Sequence, residues 1–76
     1  MIKADQVIDV KGQMCPRPLL MAKQTLKTMQ SGKILEVISD DETTKLTFHS
    51  YLERSGDELL DMHQEGVDIH FYIRKK

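Results

Sequence analysis

The chain has 76 residues, of which 39% are hydrophobic and 30% charged, with a formal net charge of −1. These values are ordinary for one small globular domain, and neither fraction suggests disorder. A single cysteine excludes an internal disulfide, a four-cysteine zinc site and a two-cysteine redox cycle within one chain.

Residues 1–6 contain no apolar h-region and no apolar run is long enough to span a bilayer, so a cytoplasmic location is expected. Charge is unevenly distributed. Residues 1–33 hold six basic against two acidic side chains, residues 34–66 two against nine, and residues 67–76 three against one. Such segregation suits a protein that docks on others through a basic and an acidic surface. With an acidic overall balance and no interleaved aromatics, direct nucleic-acid binding is not expected.

Residues 6–10, Gln-Val-Ile-Asp-Val, are rich in β-branched side chains and end at Lys11-Gly12, which predicts a first strand. Pro16 and Pro18 then open a helix, because first-turn amides have no intrahelical partner and proline costs little there. Leu19, Ala22, Leu26 and Met29 recur at spacings of three and four and form its apolar face, with Lys23, Gln24 and Lys27 opposite. Gly32 is expected to stop it as a left-handed cap.

Residues 34–39 are nearly continuously apolar, the pattern of an inner parallel strand. Asp40 or Asp41 is placed to cap a second helix, from about Thr43 to Ser55, with Phe48, Tyr51 and Leu52 facing inward and Gly56 ending it. The last third reads as a hairpin with Glu65-Gly66 as its two-residue loop, pairing Gln64 with Val67, Met62 with Ile69 and Leu60 with Phe71. That register gathers Asp61, His63, Asp68 and His70 on the opposite, open face. The order strand-helix-strand-helix-strand-strand predicts an α/β two-layer sandwich with both helices on one side of the sheet.

Cys15 lies in the run Cys15-Pro16-Arg17-Pro18, between a glycine-containing loop and the first helix. If Pro16 is the first helical residue, Cys15 is the N-cap, where unpaired amides and the helix dipole lower a thiol's pKa. The prolines temper this, since they lack N–H groups and leave Arg17 and Leu19 as first-turn donors. Arg17 adds a positive charge, and the stiffened turn holds the sulfur outward. A lone cysteine is more often buried filler than a nucleophile, and a structural role is the competing interpretation. Exchange at sulfur needs only a thiolate, access and a leaving group, and no resolving cysteine or adjacent histidine suggests other chemistry.

The sequence resembles the TusA-like family of sulfur carrier proteins, also called the SirA or YedF family. The resemblance rests on Asp9-Val10-Lys11-Gly12, Cys15-Pro16-Arg17-Pro18 with Leu19, Ser39-Asp40-Asp41, Ser55-Gly56-Asp57 and Tyr72-Ile73-Arg74-Lys75, and covers almost the whole chain. It implies a four-stranded mixed sheet with two helices on one face. It also implies that Cys15 accepts sulfane sulfur as a persulfide from a cysteine desulfurase or rhodanese-like donor and passes it to a partner cysteine. The pathways served in the family are transfer-RNA thiolation, molybdenum-cofactor-related metabolism and sulfur oxidation. Glu42 departs from the proline many relatives carry, and Thr47-Phe48 from an Asp-Ile or Asp-Leu pair; both are expected at the surface around Cys15. The alternative is a non-catalytic regulatory or protein-interaction module of the same fold.

Three further groups have plainer explanations. Asp61, His63, Asp68 and His70 come within reach of a shared divalent ion, but an open, solvated sheet face accounts for them, and neither a metal nor a cofactor is expected. The Asp40-Asp41-Glu42 run suits a helix N-terminus. Met14, Lys23 and Lys27 are the candidates for partner docking, Met14 as an apolar contact and the lysines as guides for an acidic partner. A monomer is the simplest assembly.

Overall fold

The computed structural model describes residues 3–14 and 17–76. The elements are β1 (Gln6–Asp9), α1 (Arg17–Thr28), β2 (Ile34–Ser39), α2 (Thr44–Ser55), β3 (Glu58–Glu65) and β4 (Asp68–Arg74). They form one four-stranded mixed sheet of order β1-β2-β4-β3, in which β1 and β2 are parallel and β4 is antiparallel to both neighbours. The two-layer α/β sandwich expected from the element order is the observed fold. β2 is indeed internal, but it has one parallel and one antiparallel partner rather than two parallel ones.

Since β2 and β3 both run antiparallel to β4, both crossovers join parallel strands and both move the same way across the sheet. Right-handed connections then place both helices on one face. Ala22 and Leu26 of α1 and Phe48 and Leu52 of α2 enter the same buried cluster as Leu35, Val37, Ile69, Phe71 and Ile73. At its centre the Phe48 and Phe71 rings stack with centroids 4.6 Å apart. Aromatic pairs contribute roughly 0.5–1.5 kcal/mol beyond their area, so this contact fastens α2 to the sheet. Phe48 is therefore a core residue, not part of a surface around Cys15.

Helix α1 stops at Thr28, and Gly32 (φ 86°) is not its cap but part of the turn into β2. There its amide donates to the Lys75 carbonyl at 2.8 Å, which joins the turn to the end of the chain. Helix α2 ends as expected at Gly56, whose φ of 85° suits a left-handed cap and whose amide donates to the Leu52 carbonyl. At its start the capping position belongs to Thr43, not to Asp40 or Asp41. Asp41 acts one step earlier: its Oδ1 accepts the Thr43 amide at 2.9 Å and the Thr43 hydroxyl at 2.8 Å, and its carbonyl accepts the Thr44 amide.

The hairpin differs from the sequence expectation by a two-residue slip. Its loop is Gly66-Val67, and the observed pairs are Gln64 with Ile69, His63 with His70, Met62 with Phe71 and Asp61 with Tyr72. Only Gly66 takes a positive φ (62°) here, as a turn with glycine in its first central position requires. A Glu65-Gly66 loop puts glutamate in that first position, where the positive φ favoured in hairpin turns is costly. Side chains alternate with period two, so a slip of two leaves each on the face expected for it. A bulge between Leu59 and Asp61 leaves Leu60 as the extra residue on the β3 edge.

Candidate functional site

The parallel pairing of β1 and β2 brings their carboxyl ends to the same edge of the sheet, and the segment that leads to Cys15 begins there. Its amides are tied down one after another. Val10 donates to the Ile38 carbonyl at 2.8 Å, extending the ladder past β1. The Lys11 amide donates to Asp9 Oδ1 at 3.0 Å. The Gly12 amide donates to both carboxylate oxygens of Asp40, at 3.1 and 3.2 Å. The Gln13 amide donates to the Val10 carbonyl at 3.1 Å, closing a turn around Gly12, whose φ is 83°.

Asp40 thus contributes to the site in a way that the sequence reading missed. Its place in sequence suits the start of α2, yet its carboxylate reaches back across 28 residues to Gly12. The signal was available only through topology: two parallel neighbouring strands put the residues just after each of them side by side.

Cys15 and Pro16 lie outside the described residues, and with them the expectation that the thiol caps α1. On either side in sequence the structure is defined. Met14 is 78% exposed. Arg17, the first residue of α1, is exposed, and its amide donates to the Met14 carbonyl at 2.9 Å. That amide is engaged by the loop itself and is not spare for a thiolate. Pro18 is buried beneath the start of the helix, so its part in the motif includes anchoring α1 in the core.

The two docking lysines separate. Lys27 is exposed in the last turn of α1, where a cation complements the helix dipole. Lys23 is half-buried, and its ammonium lies 5.3 Å from the centroid of the Tyr51 ring, over its face. Held over that ring, it is less free to reach a partner than its place opposite the apolar stripe suggested.

Glu42 marks the far side of this edge. It pairs with Lys45 at 3.0 Å, and Gln64 on β3 donates to it at 2.7 Å while accepting from Lys45 at 2.8 Å. The hydrogen bonds from Lys45 and Gln64 hold the Glu42 carboxyl below its ordinary range. The three side chains join the first turn of α2 to β3, a link that proline at position 42 lacks.

The uncovered face of the sheet carries the other polar concentration. Glu36, His70, Tyr72, His63 and Asp61 lie there, with Glu36 Oε2 and His70 Nδ1 2.8 Å apart. The His63 and His70 rings stack at 4.7 Å, and the Tyr72 ring lies 5.9 Å from that of His63. Burial and the Glu36 carboxylate raise the Tyr72 phenol above its usual value. Among the described residues, no helix is long and apolar enough to cross a membrane.

Comparison with known proteins agrees with this architecture. Residues 6–75 match the family model described as sulfurtransferase TusA. The chain is 41% identical to the sulfur carrier protein TusA of Allochromatium vinosum, over 93% of each chain. It is 32% identical to the sulfur carrier protein TusA of Pseudomonas putida, over 95% of this chain and 90% of that one. The crystal structure of a SirA-like protein from Desulfitobacterium hafniense has the same fold, with a TM-score of 0.79, covering 91% of this chain and 95% of that one at 24% identity.

Proposed function

Because this chain belongs to the sulfurtransferase TusA family, we propose that it is a sulfur carrier whose Cys15 receives a sulfane sulfur from one protein and hands it to another. The observation that carries this reading is the family match across residues 6–75, which includes the chain's single cysteine in the run Cys15-Pro16-Arg17-Pro18.

The transfer balances without an oxidant. The Cys15 thiolate attacks the terminal sulfur of a donor persulfide, a new S–S bond forms, and the donor thiolate leaves with the electron pair of the broken bond. Cys15 then bears the persulfide. An acceptor thiolate attacks its terminal sulfur, and the Cys15 thiolate is regenerated. Arg17 supports both steps by offsetting negative charge next to the sulfur. The loop from Asp9 to Met14, fixed by Asp40, restricts how the reacting segment is offered to a partner, and Met14 and Lys27 form the first contacts. A cysteine desulfurase or rhodanese-like protein is the donor class. The acceptor is a protein cysteine in transfer-RNA thiolation, cofactor biosynthesis or sulfur oxidation. The carrier works as a cytoplasmic monomer without binding nucleic acid or membrane directly.

The test is mass measurement after incubation with a persulfide-loaded donor. The chain should gain the mass of one sulfur atom, lose it to reductant, and gain nothing when Cys15 is replaced by serine. A folded chain whose Cys15 resists alkylation at neutral pH and acquires no sulfur would refute the carrier role. Global unfolding of Cys15→Ser would instead assign the thiol to structure.

A further inference from the structure

We propose that the uncovered sheet face holds a metal-binding site formed by His63, His70 and Glu65, with zinc(II) as the ion its chemistry suits. One ligand atom from each of the three residues lies within 4.8 Å of the other two. The sequence reading grouped the two histidines with Asp61 and Asp68 on a solvated face; the observed pairing brings in Glu65 and, behind it, Glu36.

Register creates the site. His63 and His70 are directly opposed on β3 and β4, with rings 9° from parallel and centroids 4.7 Å apart. Glu65 follows two residues after His63 on the same face, and its Oε1 lies 3.6 Å from His63 Nε2. Two imidazoles and a carboxylate form the donor set of many three-ligand zinc sites that keep a fourth position for water.

A neighbouring carboxylate prepares the His70 ring. Glu36 Oε2 sits 2.8 Å from His70 Nδ1, and these two side chains are only 16% and 18% exposed. A carboxylate that accepts from Nδ1–H fixes the tautomer and turns the Nε2 lone pair outward, as metal-ligating histidines require. Asp61 Oδ2 lies 4.0 Å from His63 Nδ1, too far for a hydrogen bond, and adds only negative charge beside that ring. Glu36, Asp61 and Glu65 also leave an excess of negative charge for a cation to offset.

Zinc bonds of about 2.0–2.1 Å place tetrahedral ligands roughly 3.3 Å apart. The ligand atoms must therefore draw closer, which rotation of the His63 and Glu65 side chains, 40% and 75% exposed, allows. Imidazole nitrogens favour zinc, copper and nickel over magnesium and calcium. The site is independent of the sulfur-carrier reading, and its failure leaves that reading untouched.

The experiment is a calorimetric zinc titration of the full chain carrying Cys15→Ser, which removes the thiol as a competing ligand. One equivalent should bind. His63→Ala and His70→Ala, each checked for native circular dichroism, should each weaken binding at least tenfold. Glu36→Gln should weaken it by roughly 10- to 100-fold, the usual range for a partner that orients a ligating histidine. Absence of binding in the Cys15→Ser chain, or affinity unchanged in both histidine variants, overturns the site. Unchanged affinity in Glu36→Gln overturns the part assigned to Glu36.

Discussion

Replacing Asp40 with alanine should loosen the loop before Cys15 while leaving the sheet intact. Among the described residues the carboxylate accepts one N–H, that of Gly12, with its two oxygens at 3.1 and 3.2 Å. A hydrogen bond to a charged group contributes about 1.5–3 kcal/mol net, and exposure of this one places it at or slightly below the lower limit. A loss of about 1.4 kcal/mol corresponds to tenfold in an equilibrium constant. The Gly12 amide should therefore exchange with solvent about ten times faster in Asp40→Ala, measured by native-state hydrogen exchange. Amides of β2 and β4 should keep their protection, because Asp40 contributes nothing to the buried cluster. Asp40→Asn retains a neutral acceptor oxygen and should recover part of the difference. Sulfur loaded on Cys15 should be handed on more slowly in Asp40→Ala, with the loading stoichiometry unchanged. Unchanged Gly12 exchange, or an equal acceleration at every core amide, would show that the contact does not hold the loop.

Two further outcomes concern the core and the tyrosines. Phe48→Ala removes the ring that stacks on Phe71 and should cost about 3–5 kcal/mol in urea unfolding; at roughly 0.05–0.15 kcal/mol per residue, that is a large share of this domain's total, and a cost below 1 kcal/mol would contradict the central position given to the pair. With two tyrosines and no tryptophan, phenolate absorbance reports Tyr51 and Tyr72 alone. Burial is the first cause of the upward shift in both, aided by Asp57 at Tyr51 and Glu36 at Tyr72. Both should ionise above 10.0 in the folded chain. The folded state then holds these protons longer than the unfolded one, so their contribution is complete below pH 10 and fades as pH rises through the folded values. Ionisation at or below pH 10 in the folded chain would remove that dependence.

The helices were legible from residue spacing because their burial follows one periodic stripe: Ala22, Leu26, Phe48 and Leu52 all enter the core as expected. Gly56 was legible because a left-handed cap leaves a clear residue signature. The hairpin faces could be read, but the loop could not, since alternation is blind to slips of two and only the φ of Gly66 fixes the register. Asp40 was misassigned because its neighbours in sequence favour a helix start, whereas its partner Gly12 becomes adjacent only when β1 and β2 pair in parallel. Glu65 was hidden from the histidine face because the expected register put it in the loop, and Glu36 because it meets His70 only when β2 pairs with β4. The run Cys15-Pro16-Arg17-Pro18 was the part of the candidate site that could be read without any fold.

The bulge at Leu60 has a consequence for the length of β3. Leu59 pairs with Ile73 toward the core and Asp61 with Tyr72 toward the open face, so residue 60 is the one position the alternation does not need. A deletion there leaves the inward and outward sets on both sides in phase, with Leu59 running directly into Asp61. Removing His63 instead would turn the segment on one side of the gap inside out. Loss of one residue from β3 is therefore expected to preserve both faces at the bulge and to scramble one of them elsewhere, which makes Leu60 the strand's point of slack.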